Sequence, residues 1–245
     1  YRFSEAANLL YDFIWHKYCD WYLEITKTRI KEKNTQVILY KVLEKSLRIL
    51  HPFMPFVTEE IYSRLPHKRG SIMIEPWPHV QKGLIDKKAE ADMEFLIKLI
   101  VSIRNIRAEM LIALDKKVNV ILSVKGKKDI EIVKENELYI KNLAKVENIE
   151  VGIKLVRPKQ SATAVVEGAQ IFVPLAGVID LDAESARLSK KIAELENILK
   201  GLSGRLKNKE FLKKAPKDIV DKEIEKEKQL KADVEKLNKS LKELL

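Results

Sequence analysis

One cysteine, Cys19, occurs in 245 residues, so no disulfide can close within the chain, and no C-x-x-C pair or histidine-rich cluster offers a metal cage. A reducing, intracellular setting is expected. Glycine and proline number only 8 each, too few for collagen-like or low-complexity sequence, while 46% hydrophobic residues supply material for more than one core. No hydrophobic run is long enough to span a bilayer, and Tyr1 to Leu10 carry neither a start methionine nor a signal pattern. The sequence reads as a soluble, cytoplasmic fragment that begins mid-protein. Phosphate-loop, dinucleotide-turn, nucleophile-elbow and H-E-x-x-H patterns are missing too, so nucleotide hydrolysis and zinc chemistry lack their usual equipment. No catalytic residue, metal or cofactor is expected in this chain.

What is present is positive charge. Lys+Arg 46 against Asp+Glu 36 gives +10, which suggests a polyanionic partner. The excess is spread as +3 over residues 1–79, +4 over 80–179 and +3 over 180–245. Within the last part, Lys200, Arg205, Lys207, Lys209, Lys213, Lys214 and Lys217 face a single acid, Glu210, a local +6. Composition alone leaves open a solvated charged tip or an RNA-phosphate surface.

Hydrophobic spacing predicts a mainly α chain in three parts. Over residues 1–79 the files Leu9, Leu10, Phe13, Ile14, Tyr18, Trp21, Tyr22, Ile25 and Ile38, Val42, Leu43, Leu47, Leu50 recur at helical spacing. They predict two long helices, the second capped by Asn34 or Thr35, and a short third helix restarting at Thr58 after Pro52 and Pro55. Over 80–178, a long helix from Leu84 to Leu114 leads a small α+β module, with strands at 118–124, 149–156, 162–167 and 170–174, a helix at 130–144, and a tight turn at Glu167, Gly168 and Ala169. Over 179–245, Leu181, Leu188, Ile192, Leu195, Leu199, Leu202 and Leu206 form a heptad seam with Ser185 in the gap. A second seam runs through Val220, Ile224, Leu230, Val234, Leu237, Leu241 and Leu244. Two helices of about 27 to 29 residues, roughly 40 Å each, would pair as an antiparallel coiled-coil hairpin with a basic tip.

Several groups invite a functional reading against a plainer one. His16 and Cys19 share a helix face, but no orienting group or oxyanion loop accompanies them, so a structural role is expected. Trp15, Tyr18, Trp21 and Tyr22 could stack bases, although aromatics at helical spacing are more often core. Arg104 and Arg107 share a face and could meet phosphate or pair with Glu109 or Asp115. Gly201 and Gly204 beside Lys200 and Arg205 look superficially like a phosphate cradle, but inside a heptad seam they are read as softening the hairpin near its tip. Lys27, Arg29, Lys31 and Lys33 alternate at the end of the first long helix and make a weaker candidate surface spread over more than one face.

Against this background, CDWYLE from Cys19, HPFMPFVTEEIY from His51 and SIMIEPWP from Ser71 resemble the anticodon-binding helical domain of class I aminoacyl-tRNA synthetases of the Val, Ile and Leu subgroup. IRNIRAEM from Ile103, VPLAGVIDLDAESARL from Val173 and FLKKAPKDIVDKE from Phe211 resemble the C-terminal region of the valyl-tRNA synthetase family, which ends in a coiled-coil arm. After Met110 that family often has an Asn and paired prolines where Leu111, Ile112 and Ala113 stand here. The resemblance implies a parent enzyme that attaches valine to tRNA(Val) with ATP and Mg, and edits its product, in domains outside this chain. It also implies a bundle incomplete at its N-terminus and an arm lying against the outer corner of the tRNA. On that basis Lys200, Arg205, Lys207, Lys209, Lys213, Lys214 and Lys226 are the candidate tRNA-binding residues, with Lys226 expected level with Lys200 so that the two grip one RNA backbone. The chain should bind tRNA(Val) as a non-catalytic monomer, attached to the remainder of the synthetase. The rival readings are a coiled-coil protein-interaction module and the same region of an isoleucyl or leucyl enzyme.

Overall fold

The computed structural model describes residues 1–66, 70–208 and 216–244. Its contacts group the chain into two compact units, Tyr1–Lys87 and Lys88–Leu245, so the α/β module and the hairpin fall in the same unit. The chain is mainly α with one small sheet. No described helix is long and apolar enough to cross a membrane.

In the first unit, α1 (Phe3–Tyr11) runs directly into a π-helical stretch, Asp12–Leu23, then through short turns to α2 (Lys33–Leu50) and α3 (Pro55–Ser63). The wider i→i+5 winding takes the long helix off the 3.6 period on which its apolar file was read. That file is divided: Tyr18 and Ile25 are buried, whereas Leu9 and Phe13 are exposed. Asn34 and Thr35 lie inside the first turn of α2 and do not cap it; the cap position is Glu32, which accepts from Thr35 Oγ1. Pro55 opens α3, where a missing N–H leaves nothing unsatisfied. Leu47, Tyr62 and Ile72 form the core between α2, α3 and the Ile72–Ile74 turn, with Leu43 and Leu65 packed on it. Two carboxylates fasten the segment after α3. Glu59 accepts from Ser71 Oγ (2.7 Å) and Ile72 N (3.2 Å), and Glu75 hydrogen-bonds Tyr62. Arg48, paired with Glu44 at 2.8 Å, donates to Pro76 O.

In the second unit, α4 (Lys87–Glu109) buries Phe95, Leu96, Leu99, Ile100, Ile103 and Ile106 along one side. It ends short of the expected Leu114. Ile112 N bonds Arg107 O and Leu111 N bonds Ala108 O while Leu111 sits at φ 49°, a Schellman stop built on leucine instead of glycine. The module follows as β1 (Val118–Val124), α5 (Lys127–Glu135), α6 (Glu137–Ala144), β2 (Val146–Ile153), β3 (Ser161–Val166) and β4 (Ala169–Pro174). The single helix expected at 130–144 is two, broken at Asn136, whose side chain bonds Ile132 O at 2.8 Å. Strand order is β2-β1-β4-β3, with β1 parallel to β2 across the helical crossover and antiparallel to β4. The turn at Glu167 (φ 50°) and Gly168 (φ 85°) has the two positive φ values of a type I′ hairpin, where the spacing had put a tight turn. Side chains tie α4 to this module at both ends: Asp92 to Lys128, Lys98 to Glu167, and Arg104 to Leu143 O.

The hairpin consists of α7 (Leu181–Lys207, 27 residues) and α8 (Lys217–Leu244, 28 residues), matching the lengths expected from the seams. Asp180 caps α7 through Ala183 N. The helices pack on each other, and α8 also packs on β3. Leu188, Ile192 and Leu202 are the buried seam positions of α7. Toward the tip the α8 seam departs from expectation. Ile224 is 50% exposed, and Glu223 and Glu227 occupy the partly buried positions facing α7. Sequence spacing favours isoleucine at the seam, but Glu227 faces α7 instead, where it meets Ser203, and Ile224 lies outward.

Candidate nucleic-acid interface

In a heptad hairpin, residues seven apart share a face, so the placed contacts sort the cations by flank. At its base the hairpin bounds a groove of about 410 Å³, lined by Lys191 of α7, by Asp233, Lys236 and Ser240 of α8, and by Glu109 and Met110 at the end of α4. Arg205 lies fourteen residues after Lys191, Lys226 seven before Asp233, and Lys222 fourteen before Lys236. These three therefore continue the groove's flank toward the tip. The opposite flank is marked by Glu227, which accepts from Ser203 Oγ, pairs with Lys231 Nζ at 3.0 Å and lies in the field of Lys207. Lys200, seven residues before Lys207, belongs to this flank. The hydrogen bonds from Ser203 and Lys231 hold the Glu227 carboxyl below its ordinary pKa, so it stays ionised at neutral pH.

Of the residues picked from sequence, Lys200, Arg205, Lys207 and Lys226 are all exposed, but they do not form one surface. Arg205 with Lys226 and Lys200 with Lys207 lie on opposite flanks. Because Ser203 meets Glu227, Lys226 stands about level with Gly204, roughly 6 Å nearer the tip than Lys200. The grip expected between Lys200 and Lys226 is not the one the fold offers. Lys209, Lys213 and Lys214 lie outside the described residues. Lys222 was missed, although its spacing of four from Lys226 and fourteen from Lys236 is legible in the sequence. Helix α7 runs unbroken through Gly201 and Gly204, and a Cβ at either would meet nothing within 4 Å.

Arg104 and Arg107 serve the fold. Arg107 is 6% exposed and donates to Ala113 O (2.9 Å) and Lys145 O (3.4 Å), not to Glu109 or Asp115, and burial lowers its pKa. Glu109 instead pairs with Lys236 at 2.6 Å, fastening α4 to the hairpin.

In the first unit, Lys27, Arg29, Lys31 and Lys33 are exposed along a 3₁₀ helix, the turn after it and the first residue of α2, and Lys27 pairs with Glu24 at 2.6 Å. The aromatics divide. Tyr18 is buried, donates to Leu39 O at 3.0 Å and stacks on Tyr22, and burial pushes its phenol up to about 12. Trp15 is 54% exposed and stacks on Tyr11 beside an apolar cleft of about 490 Å³ lined also by Ile14, Leu50, Phe53 and Met54. His16 bonds Asp20 at 3.1 Å, and burial, with the nearby Asp20, raises the Cys19 thiol, the wrong direction for a nucleophile. Among the described residues no cluster of three or more His, Cys, Asp or Glu could hold a metal.

Residues 1–122 match the family described as the anticodon-binding domain of tRNA ligase, which sets the class of the helical unit and the start of the module. Residues 180–245 match the family described as the valyl tRNA synthetase tRNA binding arm. The valine–tRNA ligase of Syntrophotalea carbinolica is 41% identical over 234 residues, 92% of this chain and 26% of that protein. Those of Listeria innocua (40% over 236 residues, 93% and 26%) and Bacillus subtilis (37% over 250, 100% and 28%) are similarly related. The chain thus spans about a quarter of the length of the relatives it matches, at their C-terminal part. It belongs to the valyl-tRNA synthetase family, as that family's anticodon-binding domain and arm.

Proposed function

We propose that this chain binds and positions tRNA for a valine–tRNA ligase and performs no chemistry itself. The observation that carries the reading is the tip half of the hairpin. There exposed cations on α7 and α8 stand in a segment whose family is described as a tRNA binding arm. Phosphate neutralisation by these cations supplies affinity that falls steeply with salt, and it sets register and orientation without reading bases. The cognate partner is tRNA(Val), with base discrimination left to the anticodon-binding unit and to the rest of the ligase. ATP and Mg belong to that remainder, as does valine attachment. The protein works in the cytoplasm as a monomer: the main apolar stripe of α7, Leu188, Ile192 and Leu202, is buried within the chain, so a second copy is not needed to cover it.

The test is an equilibrium titration of the chain with a valine tRNA transcript at low salt. Saturable binding in the micromolar range or tighter, outcompeted by the same tRNA and not by a duplex RNA of equal charge, is the expected result. Absence of saturable binding, or equal competition by the duplex, contradicts the reading.

A further inference from the structure

The two flanks of the hairpin tip carry similar numbers of cations but engage them differently. On one, Lys207 and Lys231 surround the Glu227 carboxylate, which Ser203 also holds, and Lys200 lies on the same face. A phosphate arriving there meets a fixed negative charge in the midst of the lysines, and Lys231 must leave its 3.0 Å partner to reach it. On the other flank, Arg205, Lys222 and Lys226 are exposed and make no ion pair among the described residues; the nearest seam carboxylate, Glu223, one residue after Lys222 and three before Lys226, turns inward with its Oε2 buried and bonded to none of them. Lys222 and Lys226 are one helical turn apart on α8, and Arg205 stands across from Lys226 on α7, so the three form a triangle spanning both helices. Toward the base this flank runs into the groove that Glu109 and Met110 close. Ile198, midway between Lys191 and Arg205, and Ile219, seven before Lys226, are about half exposed along the same files, giving apolar surface beside the charges.

We propose that Arg205, Lys222 and Lys226 are the RNA-backbone site of the arm, and that the flank of Lys200, Lys207 and Lys231, where Glu227 already engages Lys231, faces away from the RNA. The inference rests on the tRNA-binding reading and adds which face of the arm meets the nucleic acid, including Lys222. Counter-ion release explains the asymmetry. A lysine already paired to a carboxylate must break that pair before it can replace a cation condensed on the RNA, whereas each unpaired cation that meets a phosphate releases one and adds close to one unit to the log-log salt slope in the duplex limit.

The test compares two charge-matched triple variants of the full chain, Arg205→Gln with Lys222→Gln and Lys226→Gln, and Lys200→Gln with Lys207→Gln and Lys231→Gln. Each is titrated with a valine tRNA transcript at several salt concentrations after far-UV circular dichroism shows unchanged helicity. The first triple is expected to flatten the salt slope by about 2 to 3 units, at roughly 0.7–0.9 per lost contact, and the second by less than about half a unit. Equal flattening by both, or flattening by the second alone, overturns the assignment. If neither triple alters a binding that the parent chain shows, the arm is not the RNA surface and the assignment falls while tRNA binding stands. If the parent chain itself does not bind, the functional reading falls first.

Discussion

Replacing Arg107 by methionine removes a buried guanidinium while keeping a stem of similar length, which makes the role of this residue measurable. Two hydrogen bonds are lost. The one to Ala113 O at 2.9 Å is well formed, and as a charge-assisted bond it contributes about 1.5–3 kcal/mol. The one to Lys145 O at 3.4 Å is long and adds little. Against this, the chain no longer desolvates a cation, the same burial that lowers the Arg107 pKa, and that relief offsets part of the loss. The net expectation is a loss of about 1–2 kcal/mol, confined to the second unit. The readout can be made unit-specific, because Trp15, Trp21 and Trp77 all precede residue 88. In urea, far-UV circular dichroism should show an earlier transition for the variant, while the tryptophan fluorescence transition stays in place. A loss under about 0.5 kcal/mol, or an equal shift in both signals, would show that Arg107 does not fasten Ala113 and Lys145 as described.

Other consequences follow from single positions. Leu111 holds a left-handed φ of 49° with its side chain exposed, so Leu111→Gly relieves more backbone strain than it adds in unfolded-state freedom; the second unit should gain about 0.5 kcal/mol in denaturant, and a loss would show that the leucine side chain matters more. Tyr18 and Tyr62 ionise near 12 in the fold instead of at an ordinary 10.0, mainly because burial disfavours the phenolate. Below about pH 10 both are neutral whether folded or not, and their contribution is complete. Above it the unfolded chain ionises first, so the stability of the first unit falls as pH climbs toward about 12. Unfolding followed by tryptophan fluorescence should weaken between about pH 10 and 12 in the parent and less in Tyr18→Phe, whereas equal weakening in both would remove Tyr18 from the account.

How much of this was legible depends on whether the signal was periodic or conformational. The hairpin was readable because leucines at alternating spacings of three and four leave little choice of face, and both helices have the expected length. The I′ turn at Glu167 and Gly168 was readable because glycine marks a positive φ. The π-helical winding of Asp12–Leu23 was not, since an apolar file at 3.6 spacing says nothing about a shift to i→i+5 bonding. The stop at Leu111 was hidden for a similar reason: leucine gives no sign of the left-handed region that ends α4. The basic tip was visible as a count of charges, but its division into two flanks was not. That division depends on which α8 residues turn inward, and Glu223 and Glu227 do so in place of Ile224. Charge totals treat Lys207 and Lys226 alike; what separates their flanks is that Glu227 pairs with Lys231 whereas the inward Glu223 bonds no cation among the described residues.

The central claim, that this chain holds tRNA through the phosphates facing its arm, is tested most directly by the salt dependence of tRNA binding. The parent chain would be measured beside a full-length variant in which Lys200, Arg205, Lys207 and Lys226 are all glutamine. The account predicts a steep slope for the parent and one flatter by about 1.5–2 units for the variant, most of it from Arg205 and Lys226. Identical slopes and affinities for the two proteins would contradict it and move the RNA contacts off the arm.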